Sequence, residues 1–177
     1  VRFEHLFSLP VIGLNTAVIS IAGQNFGAKR FDRIKEVYFK AVFIGMIIMC
    51  LAGIIIYLLS ESIISIFSND FEVIKFGSTY LKIAAFMGPI YPVFFISHAL
   101  FTALKKTFLI FYSNLFRMII FPITIVWFIL NIMDGYFNDI FYGLLLMNWT
   151  FGFIMLAIAR GVMIKTFNED KKVFFIF

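Results

Sequence analysis

Five long apolar stretches, almost empty of charge, decide what this chain can become. They run over residues 6–27, 41–60, 83–104, 107–133 and 140–159. Crossing about 30 Å of hydrocarbon takes roughly 20 helical residues, and each stretch reaches that length. The third holds His98 and the fourth Arg117; the others carry no ionisable side chain but Cys50 or Tyr. The chain as a whole is 62% hydrophobic and 14% charged, where soluble proteins hold about 45–50% and 25%. No linker, soluble domain or low-complexity tract separates the stretches. The expected fold class is an all-α membrane protein, one bundle of five transmembrane helices over residues 1–177.

The connections orient that bundle. Gly23 to Glu36 closes the first stretch with two glycines and then turns basic. Lys29, Arg30, Arg33, Lys35 and Lys40 are five cations in twelve residues, the mark of a cytoplasmic loop. Gly27 suits the left-handed position after a helix end, and Asp32 suits the N-cap of the next helix. Lys and Arg number five at 29–40, two at 61–82, two at 105–106, none at 134–139 and four at 160–172. Glu61, Asp70 and Glu72 offset the second set, and Asp134 and Asp139 stand alone in the fourth. The bias alternates, which places the first, third and last connections inside, the C-terminus in the cytoplasm and Val1 outside. The net charge of +5 is therefore a matter of topology. Nucleic acid would require the cations on one surface.

In the second connection, Asn69 with Glu72 resembles a capping box. Phe71, Ile74, Ser78 and Leu81 then share one helical face, and Glu72, Lys75, Thr79 and Lys82 another. Such a segment is expected to lie at the outer interface and feed the third crossing.

Polar groups inside the apolar stretches are the candidates for function. Thr16, Ser20 and Gln24 recur every four residues with Asn15 beside them, a stripe that suits protein or a water-filled cleft and not lipid. Gly13 and Ala17 make a small-residue face for close helix approach. Asn148 and Trp149 form a weaker pair in the fifth stretch. His98 admits two readings, a titrating switch or a neutral imidazole bonded to a neighbouring helix. Arg117 lies about ten residues, roughly 15 Å, into its stretch. Unpaired, it would cost about 2.5–3.5 kcal/mol there, so it is expected to face the bundle or reach for the inner headgroups as an anchor. Gly88-Pro89, Pro92 and Pro122 predict bent helices. The sequence has no phosphate-binding glycine loop, no metal-ligand spacing and no nucleophile with a base nearby, so neither an enzyme nor a metal site is expected.

Leu9-Pro10, then Gly13, Asn15, Thr16 and Ala17, then Gly23-Gln-Asn-Phe-Gly-Ala ahead of the basic loop resemble the C-terminal half of the multidrug and toxic compound extrusion (MATE) family, of the multidrug/oligosaccharidyl-lipid/polysaccharide flippase superfamily. Ile66-Phe-Ser-Asn-Asp-Phe-Glu-Val-Ile74 with Gly77 and Tyr80-Leu81 resembles that family's next connection. So does Asn114-Leu-Phe-Arg117, five residues ahead of Pro122. The resemblance covers residues 6–160 and implies two six-helix lobes around a cleft. The five stretches would be helices eight to twelve of twelve, an incomplete C-terminal lobe. A chain opening on Val1 fits that expectation of a longer protein, with an N-terminal lobe as partner.

The resemblance further implies export of drugs or other amphipathic or organic cations by alternating access at the cell membrane, coupled to Na+ or H+, with no other cofactor. In the family, acidic groups of this lobe lie in its first helix and, in some branches, in the helix matching the third stretch. At the matching place stand Ser97 and His98, and that stretch has no Asp or Glu. Coupling through the N-terminal lobe and coupling through His98 are both open. Asn15, Thr16, Ser20, Gln24, Ser97 and His98 are the candidate cavity residues. A lipid-linked oligosaccharide flippase is the alternative, although its cleft would want several cations where Arg117 stands alone. A non-transporting subunit of a split membrane protein is another.

Overall fold

The computed structural model describes the backbone of residues 4–131 and 137–174 and the side chains of 9–131 and 139–168. All regular structure among these residues is helical, as the apolar pattern requires. Helix α1 is Glu4–Gly27 and α2 is Phe31–Ser65. Helix α3, Phe71–Met87, passes through a 3-10 turn at Gly88–Ile90 into α4, Tyr91–Ala103. Helix α5, Phe108–Leu115, passes through a π-helical segment at Phe116–Ile120 into α6, Phe121–Asn131, and α7 is Phe137–Phe174. Ile132, Met133 and Asp134 lie outside the described residues.

Among the described residues, four rods are long and apolar enough to cross a membrane, namely Phe31–Ser65, Phe71–Ala103, Phe108–Asn131 and Asp139–Asn168. The protein is a multi-pass membrane protein. Helix α1, with 24 residues, is about 36 Å long at 1.5 Å per residue, and its polar residues set it apart from those four.

Helix α4 is the centre of the bundle. Val93, Ile96, Ala99, Leu100 and Phe101 are all at 0% exposure. They pack with Val18 and Ala22 of α1, Ile34 and Tyr38 of α2, and Met155 and Ala159 of α7. The outward face of α2 is the reverse: Phe43, Leu51 and Leu58 stand well exposed, as suits contact with lipid tails.

Several local expectations are corrected by the structure. The left-handed residue after α1 is Lys29, not Gly27; Lys105 does the same after α4, and both have φ 58°. In each loop the same closure forms. Arg30 N–H donates to Asn25 O at 2.9 Å and Lys29 N–H to Phe26 O at 3.1 Å; Lys106 N–H donates to Phe101 O at 2.7 Å and Lys105 N–H to Thr102 O at 3.0 Å. These are Schellman caps, which fix the register of the turn whichever side chain sits at the left-handed position. Asp32 is not an N-cap: Arg30 occupies that position without a side-chain bond, and Asp32 sits in the first turn, where the helix dipole favours it. At α3 the cap is Asp70 rather than Asn69, with Oδ1 accepting from Glu72 N–H at 2.8 Å.

Residues 71–82 are not laid along an interface either. They form the first part of the third crossing, packed on α2, with Leu81 and Ala85 buried beside Ile56 and Ile63. Lys82 Nζ reaches Glu61 Oε1 at 2.9 Å across the two helices. Their amphipathic pattern serves a helix-on-helix contact with one wet edge.

The close helix approach expected at Gly13 is absent among the described residues, since a Cβ there would meet nothing within 4 Å. It occurs at Gly45 and Gly53 of α2, where a Cβ would come within 2.7 Å of Pro92 Cβ and 2.8 Å of the Ala85 carbonyl oxygen. The breaks fall where proline demands them. Trp149 Nε1 donates to Phe86 O at 3.0 Å, satisfying a carbonyl released by the Gly88-Pro89 break. Ahead of Pro122 the ladder widens, and Phe121 N–H bonds Phe116 O five residues back. That wider turn makes room for the proline ring.

Candidate functional site

Two faces carry the polar residues inside the apolar layer. On α1, Val11, Val18 and Ala22 are buried against the core. At about 100° per residue, Thr16, Ser20, Gln24, Gly13 and Ala17 point the other way. All five are exposed. Thr16 Oγ1 donates to Ile12 O at 3.2 Å, and Gln24 Nε2 to Ser20 Oγ at 3.4 Å. Lipid is a poor neighbour for this face, because unpaired amide and hydroxyl groups are costly in hydrocarbon. It suits water or protein beyond the described residues.

The second face runs down α4. Tyr91, Phe95, His98 and Thr102, at helical spacing, are the members of α4 that are not fully buried. Asn15 of α1 flanks this strip on one side, its Nδ2 donating to Phe95 O. The fourth crossing flanks it on the other. His98 Nε2 and Ser113 Oγ are 2.9 Å apart, and Ser113 Oγ also reaches Ile110 O at 3.0 Å.

Arg117 lies one turn beyond Ser113, within the π segment. Its guanidinium carbon is 3.9 Å from the Phe94 ring centre and 5.2 Å from that of Tyr91. Nε and Nη2 both donate to Asn148 Oδ1 of α7 at 3.3 Å, and Asn148 Nδ2 is spent on Leu144 O at 2.9 Å. The cation therefore faces the bundle, over two aromatic rings, and not the headgroups.

The candidate residues divide accordingly. Thr16, Ser20 and Gln24 lie on the open face of α1. His98 is half-buried on the strip of α4, bonded to a neighbouring helix. Asn15 also turns inward and ties α1 to α4. Ser97 is corrected: it is at 0% exposure, its Oγ 2.9 Å from Tyr38 Oη, so among the described residues it locks α4 to α2 and does not face open space. Adjacent residues on a helix diverge by about 100°, which separates Ser97 from His98. Missed by sequence reasoning were Ser113, Tyr91 and Phe94 as partners of His98 and Arg117. The four-residue spacing of Ser113 and Arg117 was the available signal. Among the described residues no His, Cys, Asp and Glu group is placed to hold a metal.

A bundle with a buried central helix, proline-relieved crossings and one polar face turned away from its own core defines an all-α, multi-pass membrane protein. The MatE family model matches residues 1–128, and the chain belongs to that family. It is 33% identical over 75 residues to the probable multidrug resistance protein YoeA of Bacillus subtilis strain 168, a match over 42% of this chain and 16% of YoeA. The fold is similar to solved outward-facing and inward-facing structures of a multidrug resistance MATE family transporter of the MOP superfamily. Both give a TM-score of 0.86 at 14% identity over 93% of this chain, and cover 37% and 38% of those chains. The chain thus spans well under half the length of these relatives.

Proposed function

We infer that the chain is the C-terminal lobe, less its first helix, of an exporter that moves amphipathic compounds by alternating access, driven by Na+ or H+. The observation that carries this reading is the α1 face. Thr16, Ser20 and Gln24 point away from the side of α1 on which Val11, Val18 and Ala22 are buried, so a wet cleft shared with an N-terminal lobe gives them a place. His98 beside Ser113 supplies a titratable group on the second face, that of α4, and the π segment ahead of Pro122 supplies a bend. The cell membrane, with the Lys29–Lys40 loop and the C-terminus in the cytoplasm, fits the distribution of Lys and Arg. Family membership supports transport over catalysis.

The test uses the full-length parent gene in cells stripped of their own pumps. Ethidium retention is followed in acidic and alkaline medium, with and without sodium, for wild type and His98→Ala. Export that loses its pH dependence in the variant places His98 in the coupling path. Export unchanged in the variant assigns coupling elsewhere. No export under any gradient overturns the reading in favour of a lipid-linked saccharide flippase.

A further inference from the structure

Arg117 is set apart from the other polar groups of the seam by its charge and by what it lacks. It forms no ion pair among the described residues, whereas Arg33 and Lys40 pair with Glu36 and Lys82 with Glu61. Its two hydrogen bonds share one oxygen, Asn148 Oδ1, at a long 3.3 Å. The Phe94 and Tyr91 rings take one face of the guanidinium and offset part of the cost of a cation in hydrocarbon. Nη1 has no hydrogen-bond partner among the described residues. It is not sealed in, since Thr166 Oγ1 is the sole buried side-chain polar atom there without a partner. A planar fork with its outer N–H groups free matches an oxyanion in two parallel bonds.

An apolar groove lies one ring away. Between α6 and α7, Phe121, Ile125, Ile129, Gly143, Met147 and Phe151 line a groove of about 480 Å³, within the usual range for small-molecule sites. Phe151 joins it to the cation, its ring centre 5.7 Å from that of Phe121 and 5.9 Å from that of Phe94, the ring beneath Arg117. An ammonium group brought beside Arg117 would meet like charge.

We propose that Arg117 and Asn148, with the α6–α7 groove, form a site for an amphipathic molecule with an anionic head, a carboxylate or phosphate, whose apolar body lies in the groove. The inference rests on the export reading and narrows its substrates from organic cations to anionic or zwitterionic amphiphiles.

The test uses full-length protein in phosphatidylcholine nanodiscs and two probes with one apolar body, dansyl-labelled undecanoic acid and its methyl ester. Wild type binds the acid about tenfold or more tightly than the ester, the effect of one charge-assisted bond. Arg117→Gln brings the acid down to the ester while leaving ester binding in place, and Arg117→Lys keeps part of the preference. A wild type that binds acid and ester alike overturns the proposal. So does an Arg117→Gln protein that keeps the preference, or one that is folded and loses both probes equally, which would make Arg117 structural. If Arg117→Gln does not fold, the preference of wild type and its reduction in Arg117→Lys decide. Adding phosphatidylglycerol separates the sources of the anion. Competition that Arg117→Gln abolishes points to a lipid headgroup, and its absence points to a soluble amphiphile; either supports the site. Export is measured apart: acid preference without export removes the export reading alone, and export without acid preference removes this inference alone.

Discussion

Tyr38 and Ser97 are both at 0% exposure and are hydrogen-bonded to each other, which makes their pairing a matter of stability. Truncating either leaves a hydroxyl stranded in an apolar core, at a cost of about 1–3 kcal/mol. Tyr38→Phe and Ser97→Ala should each lower the thermal unfolding midpoint of the purified full-length protein, and the double variant should lose less than the sum. An additive double variant would mean that the bond does not form. Lys105 offers the opposite experiment. Its φ of 58° is strained for a side-chain-bearing residue and natural for glycine. Lys105→Gly should raise stability by about 0.5–1 kcal/mol, read as a higher midpoint in the same assay.

At the scale of the helix, close packing and open surface make a matched pair. Gly53 of α2 leaves no room for a methyl group against the Ala85 carbonyl, whereas Gly13 of α1 meets nothing. Gly53→Ala should therefore cost about 1–3 kcal/mol, while Gly13→Ala, unhindered inside α1, should gain about 0.5–1 kcal/mol in unfolding of the same protein. A loss at Gly13 would show that its face packs on a helix beyond this chain. The five rods were legible in the sequence as apolar runs almost empty of charge, but their ends were not, since Phe31–Ser65 and Phe137–Phe174 run well beyond those runs. The role of residues 71–82 was not, because an amphipathic face reads alike whether it meets headgroups or α2; only the Glu61–Lys82 pairing tells them apart. The site was half legible for a similar reason. Arg117 was visible as a charge that had to turn inward, but Phe94 and Asn148 reach it through the fold, from residues 23 before it and 31 after. The left-handed lysines escaped notice because a Schellman cap is set by backbone bonds, and glycine preference is only a tendency.

At the scale of the whole molecule, the polar face of α1 decides whether this lobe has a partner. Substituting Thr16, Ser20 and Gln24 by leucine removes no contact that holds the lobe together, for all three are exposed and bond only within α1. The triple variant of the full-length protein should keep its unfolding midpoint and lose export; retained export would remove α1 from the cleft. The fold is equally like the outward- and the inward-facing structures, at a TM-score of 0.86 to each, so it favours neither conformation.

The surroundings of Arg117 also bear on how the chain is made. Ribosomes deliver the polypeptide from its N-terminus, so Tyr91 and Phe94 are already in place when Arg117 leaves the insertion machinery, while Asn148 is still 31 residues away. The aromatic rings are thus the first shelter the cation finds, and the amide arrives later, as a latch closed when α7 is laid against the others.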